Sequence, residues 1–144
     1  MKYLNYFFNI LGAIFMFILI DGCATSNYVS EKSEKGCSTY EPILIAKASQ
    51  PAYKDELDGK CIELSGKLSA NPALNSMYSS HYPDYVFYSL WDDKNNQVHI
   101  AVQKSVADQL LIAPKESKVI VHCSRLLSTG TFMLWAADSY TISK

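Results

Sequence analysis

Tyr85-Val86-Phe87-Tyr88-Ser89-Leu90-Trp91 decides how this chain folds. The run has no glycine or proline, and its aromatic and branched residues suit a pleated strand. Asp92-Asp93-Lys94-Asn95-Asn96 follows as a polar turn, and Val98, Ile100 and Val102 then alternate through residues 97–102. Two such runs around a short loop predict an antiparallel hairpin. Side chains alternate across a strand, so Val86, Tyr88 and Leu90 share the inner side with Val98, Ile100 and Val102. Tyr85, Phe87, Ser89 and Trp91 then point outward, together with His99 and Ala101.

Working outward from the hairpin, residues 104–112 carry Val106, Leu110 and Leu111 at helical spacing, and Pro114 stops that helix. Residues 118–126 read as a fourth strand with Val119 and Val121 in phase. Ser128-Thr129-Gly130 turns into a fifth, residues 131–142. Upstream, residues 60–68 alternate, with Ile62, Leu64 and Leu68 on one side and Cys61, Glu63 and Ser65 on the other. Gly66 falls on the inner side, where a bulge or sharp bend is expected. A long loop, residues 69–84, separates this first strand from the second, with Asn71-Pro72 and Pro83 as breakers. Pro42 opens a short N-terminal helix through Ala48, which Ser49-Gln50-Pro51 closes.

The order of three strands, a helix and two strands, with a glycine in the first strand, resembles an OB-fold. Asp58-Gly59-Lys60 before Ile62-Glu63-Leu64-Ser65-Gly66 is similar to the first strand of extracytoplasmic OB modules. Leu90-Trp91-Asp92-Asp93 before Val98-His99-Ile100-Ala101-Val102 is similar to their second hairpin. The resemblance covers residues 43–142. It implies a mostly β domain: a five-stranded Greek-key barrel with a helix between strands three and four and a short N-terminal helix. It also implies a ligand face on strands two and three and the loops beside them. None of these residues is a catalytic signature, and a fold alone does not give a function.

The chain has 144 residues, which suits one domain. Its 13 basic and 14 acidic side chains give a net charge of −1, so whole-chain attraction to nucleic acid is not expected. Met1-Lys2 precedes an apolar run over residues 7–20, shorter than the roughly 20 residues that cross a bilayer. A charged start, such a run and small residues after it read as a secretory signal. Ile20-Asp21-Gly22-Cys23 resembles the lipobox of bacterial lipoproteins, from which Asp21 departs, since a small or aliphatic residue is usual there. The resemblance implies that residues 1–22 are removed and that Cys23 is acylated and anchors the chain in a membrane. With Ala24 after it, the chain is expected at the outer membrane, facing the periplasm. Residues 23–40 are polar and read as a lipidated flexible tether. Residues 41–144 form the barrel domain.

The outward face of the hairpin is the leading candidate for function. Tyr85, Phe87, Trp91 and His99 lie there, and the long loop adds Tyr78, His81 and Tyr82. Large rings with polar tips are common in interfaces. The expected partner is another envelope protein or a small ligand; a structural or stress-related surface lipoprotein with no dedicated site is an alternative. Burial of Phe87 and Trp91 under the loop would favour that alternative. Single-stranded nucleic acid is disfavoured, because Asp84, Asp92 and Asp93 surround the face with Lys94 alone opposing. Cys37, Cys61 and Cys123 remain once Cys23 is lipidated. A Cys61–Cys123 bond joins neighbouring strands but conflicts with their phase. A Cys37–Cys61 bond and a buried free thiol are the other outcomes. A thiol-based redox enzyme using Cys61 or Cys123 is the competing class. No catalytic residue, metal site or cofactor is expected: His122 and Cys123 face opposite ways on a strand, and no ligand spacing is present.

Overall fold

The structure is a computed structural model that describes residues 26–29, 36–113, 117–128 and 133–143. Residues 1–22, expected to be a signal, and Cys23 lie outside these residues. Seven strands pair: β1 (Ser26–Val29), β2 (Glu41–Pro42), β3 (Ile62–Ala70), β4 (Tyr85–Trp91), β5 (Gln97–Gln103), β6 (Lys118–Ser128) and β7 (Leu134–Ser143). Four helices join them: α1 (Ile45–Ala48), α2 (Lys54–Leu57), α3 (Pro72–Tyr78) and α4 (Lys104–Leu111), with a 3-10 turn at Pro51–Tyr53. The domain is mostly β.

β3 pairs antiparallel with both β4 and β6, and β4 pairs antiparallel with β5. β7 runs antiparallel to β6 and parallel to β5. The five longer strands therefore follow one another around a closed path, β3–β4–β5–β7–β6, which removes most exposed edges. The hairpin registers Val86 with Val102, Tyr88 with Ile100 and Leu90 with Val98, as the alternation predicts. These side chains meet Ile62, Leu64, Val119, Val121 and Trp135 in the main core. Gly66 is buried on the same inner side. A Cβ there would lie 2.6 Å from the Trp91 carbonyl oxygen and 2.7 Å from Ile45 Cδ1, so only glycine lets β4 and α1 approach this closely.

Four expectations need correction. The loop 69–84 contains a helix, α3, whose N-terminus is capped by the Asn71 side chain accepting from Leu74 N at 3.1 Å. Pro72 stands in its first turn, where a missing N–H is harmless. The helix expected from Pro42 begins only at Ile45. Glu41 and Pro42 instead form β2, parallel to β3. Pro42 has no N–H to give, and Glu41 N and Ile43 N on either side donate to Cys61 O and Glu63 O, each at 2.9 Å. In α4, Ala107 and Leu110 take the core, whereas Leu111 is 60% exposed. Finally, the described parts of the stretch 23–40 are not a free tether. β1 pairs antiparallel with β7, and Cys37 is disulfide-bonded to Cys61. Its polar composition hid both attachments, because neither depends on apolar burial.

Candidate functional site

Phe87 points outward from the barrel, as the alternation predicts, but it is fully buried. It forms a second small core with Leu74, Ala101 and Leu134. Helix α3 supplies the cover, and Asn75 locks it there. The Asn75 side chain accepts from Phe87 N at 3.0 Å and donates to Phe87 O at 3.1 Å. β3 pairs with β4 no further than Tyr88, so this amide stands in for a missing neighbouring strand. Phe87 is therefore a packing residue and not part of an open face.

Tyr78, Tyr82 and Tyr85 ring this core and remain half-buried. Their centroids lie 6.0–6.4 Å from one another or from Phe87 in stacked, tilted and edge-on contacts. The Tyr82 hydroxyl donates to Leu127 O at 2.9 Å, and Arg125 Nη2 donates to the Tyr85 hydroxyl at 2.7 Å. Met77, 59% exposed, and the exposed His81 complete an aromatic shelf. Tyr78, His81, Tyr82 and Tyr85, four of the seven residues expected on a partner face, thus come together here around a fifth, Phe87.

Trp91 and His99 lie elsewhere, towards the other end of β4. Ser89, 1% exposed, sits between them and the shelf. Its oxygen accepts from Gln97 Nε2 at 2.8 Å and Asn71 Nδ2 at 2.9 Å, and pairs with His99 Nδ1 at 3.2 Å. Burial lowers the His99 pKa, which favours the neutral ring. Trp91 stays half-buried, with Nε1 donating to Ser69 Oγ at 3.0 Å. It borders a shallow groove of 280 Å³ shared with Lys67, Lys118, Asp92 and Asp93. The loop therefore covers Phe87 and leaves Trp91 accessible.

The cysteines resolve as a Cys37–Cys61 bond and a buried free Cys123. Burial pushes the Cys123 thiol well above its usual range, with Asp138 adding to the rise. A ready thiolate needs the opposite environment, so Cys123 does not present the nucleophile that a thiol redox enzyme would use, and the Cys61 sulfur is held in the bond to Cys37. His122 does face away from Cys123. Its Nε2 meets Glu63 Oε2 and its Nδ1 meets Ser139 Oγ, both at 3.0 Å, under the stacked ring of Tyr40. Among the described residues, no cluster of His, Cys, Asp or Glu side chains could hold a metal ion. The sequence reading missed this polar cluster and the two asparagine clamps. An asparagine directly before a proline is a cap signature, and that signal could have located α3.

Asp138 is 5% exposed beside this cluster. Burial raises its pKa, partly opposed by hydrogen bonds from Ser124 and Tyr40. A raised carboxyl pKa means that the native state binds the proton more tightly than the unfolded chain. Stability is then expected to fall as pH rises from the ordinary carboxylate value through the raised one. Asp138→Asn should flatten that limb of the profile, which urea midpoints across pH would check. An unchanged profile would mean that Asp138 titrates alike in both states.

No family model and no curated protein matches the sequence. Among solved structures, the chain is similar to a Leishmania major Friedlin protein assigned as an aspartyl-tRNA synthetase, with a TM-score of 0.50 and 14% identity. The match covers 81% of this chain and 23% of that one, so the chain spans less than a quarter of its neighbour. At that identity the likeness concerns the fold alone.

Proposed function

We propose that the closed strand path is an OB-type Greek-key barrel, and that the chain is an envelope lipoprotein anchored through Cys23 at the outer membrane, facing the periplasm. The barrel binds an envelope protein through the shelf of Met77, Tyr78, Tyr82 and Tyr85. It is a binding module and not an enzyme. The shelf carries this reading. Tyrosine, methionine and arginine are the residue types enriched in interfaces. Tyr82 and Tyr85 are already held by Leu127 O and Arg125, which reduces the ordering cost of binding. The net charge of −1 and the exposed Asp84 next to Tyr85 favour a protein partner over nucleic acid, because stacking surfaces for single strands lie in basic grooves. Trp91 and His99 are not part of the shelf and do not enter this reading. Among the described residues no helix is long and apolar enough to cross a membrane.

The test is a crosslinked pull-down from envelopes, comparing the intact chain with Met77→Glu/His81→Glu. Both positions are exposed, so stability should change by less than about 0.5 kcal/mol. One partner recovered by the intact chain and lost by the variant is the expected result. The same recovery from both would remove the shelf as the binding surface.

A further inference from the structure

We propose that the barrel is seated directly on the bilayer, with the row Lys118, Lys67 and Trp91 against the phosphate layer of anionic phospholipids. The inference rests on the acylation of Cys23 proposed above. It begins with a length. Ser26 pairs with Ile142 near the end of β7, and only three peptide units separate it from Cys23. Fully extended, they reach about 10 Å. The anchor is therefore held close to one end of the barrel, instead of swinging on a long leash.

The register identifies that end. Ser143, next to Ile142, pairs with Lys118; Lys118 pairs with Lys67; Lys67 pairs with Trp91. Paired residues share a face, so Lys118, Lys67 and Trp91 stand abreast on the outer surface. Both lysines are exposed, Trp91 is half-buried, and all three line the same groove. Tryptophan and lysine are the side chains that settle at the headgroup level, the ring among glycerol and acyl segments and the ammonium towards phosphate.

Two carboxylates lie nearby. Asp92 stays ionised, but its oxygens are turned to its own turn, accepting from Lys94 N at 2.9 Å, Asn96 N at 2.8 Å and Asn96 Nδ2 at 2.7 Å. Asp93 is 3.7 Å from Lys67, but its side chain is 94% exposed, so the contact yields readily to a phosphate. Lys118 and the exposed Lys94 add positive charge along the same rim. The placement also suits the shelf. Tyr85 is six residues from Trp91 along β4, about 20 Å, so the shelf stays clear of lipid and open to a partner.

The experiment uses the full acylated chain in phosphatidylcholine vesicles with about a quarter phosphatidylglycerol and a headgroup-level quencher. Trp91 emission is taken as the difference between the intact chain and Trp91→Phe. Quenching at least about twofold stronger than for a variant with a twelve-residue Gly-Ser spacer after Ala24 is expected. Lys67→Glu/Lys118→Glu should also weaken it. Mass spectrometry of the N-terminal peptide and co-sedimentation report anchoring separately. An acylated, vesicle-bound chain with equal quenching with and without the spacer would overturn the seating. Quenching indifferent to the lysine pair would overturn the headgroup contact. An unacylated Cys23 would overturn the anchor itself, and the seating with it.

Discussion

Phe87→Ala is expected to destabilise the fold by about 3–5 kcal/mol, as large aromatic deletions in packed sites do. The ring lies outside the barrel, where strand alternation alone would make it a surface residue. It is nonetheless fully buried, between Leu74 of α3 and Ala101 and Leu134 of the sheet. Its loss opens a cavity that α3 can fill only by moving, and α3 is held in place by the Asn75 bonds to the Phe87 backbone. Relaxation should therefore be partial. Urea unfolding of Phe87→Ala beside Met77→Ala checks this, since Met77 is 59% exposed and should change stability by less than about 0.5 kcal/mol. A loss below about 1 kcal/mol for Phe87→Ala would mean that α3 does not dock on β4 in solution.

That ring also marks the limit of what the sequence makes legible. Period two along residues 85–91 and 97–102 gives the hairpin, and the same reasoning places Ile62, Leu64, Val119 and Val121 inside. Alternation reports which side of a strand a residue takes. It does not report what covers that side. The cover here is α3, a seven-residue helix with the sequence Pro-Ala-Leu-Asn-Ser-Met-Tyr. It is too short for a helical period to emerge, and Asn75, which secures it, reads as a loop residue from sequence alone. Trp91 obeys the same outward rule and stays half-buried, because α3 ends its cover short of it.

The proposed partner surface is legible in part for the same reason. Tyr78, Tyr82 and Tyr85 converge because α3 and the segment after it return to the start of β4, with Tyr85 N donating to Tyr82 O at 3.1 Å. Strand parity groups Trp91 and His99 with them. Parity does not encode distance along a strand, and Trp91 lies at the far end of β4. The N-terminal attachments were less legible still. Ser26 to Val29 join β7 by backbone pairing, and Tyr28-Val29, the β-prone pair within this polar stretch, is too short for an alternation to show.

Cys37→Ser/Cys61→Ser is expected to lower stability by about 3 kcal/mol, from the entropy returned to the unfolded chain when a loop of this size is opened. The bond spans 24 residues of sequence separation and fastens the N-terminal segment at the start of β3. Its effect extends beyond the two sulfurs. Tyr40, three residues after Cys37, stacks on His122 at 4.3 Å, and Glu41 N donates to Cys61 O at 2.9 Å. Without the bond, the short β2 must hold this segment with few backbone contacts of its own, so the Tyr40 ring should leave His122 more often. Urea midpoints give the stability, and the His122 ring resonances give the local change. Reducing the intact protein should produce the same shift, and the double variant should not respond to reductant. Cys123 will not confuse the comparison, because it is buried and unpaired. A change below about 1 kcal/mol would mean that the unfolded chain is already compact around this loop, so that closing it removes little freedom. The full loss would instead make oxidising surroundings a condition of its fold.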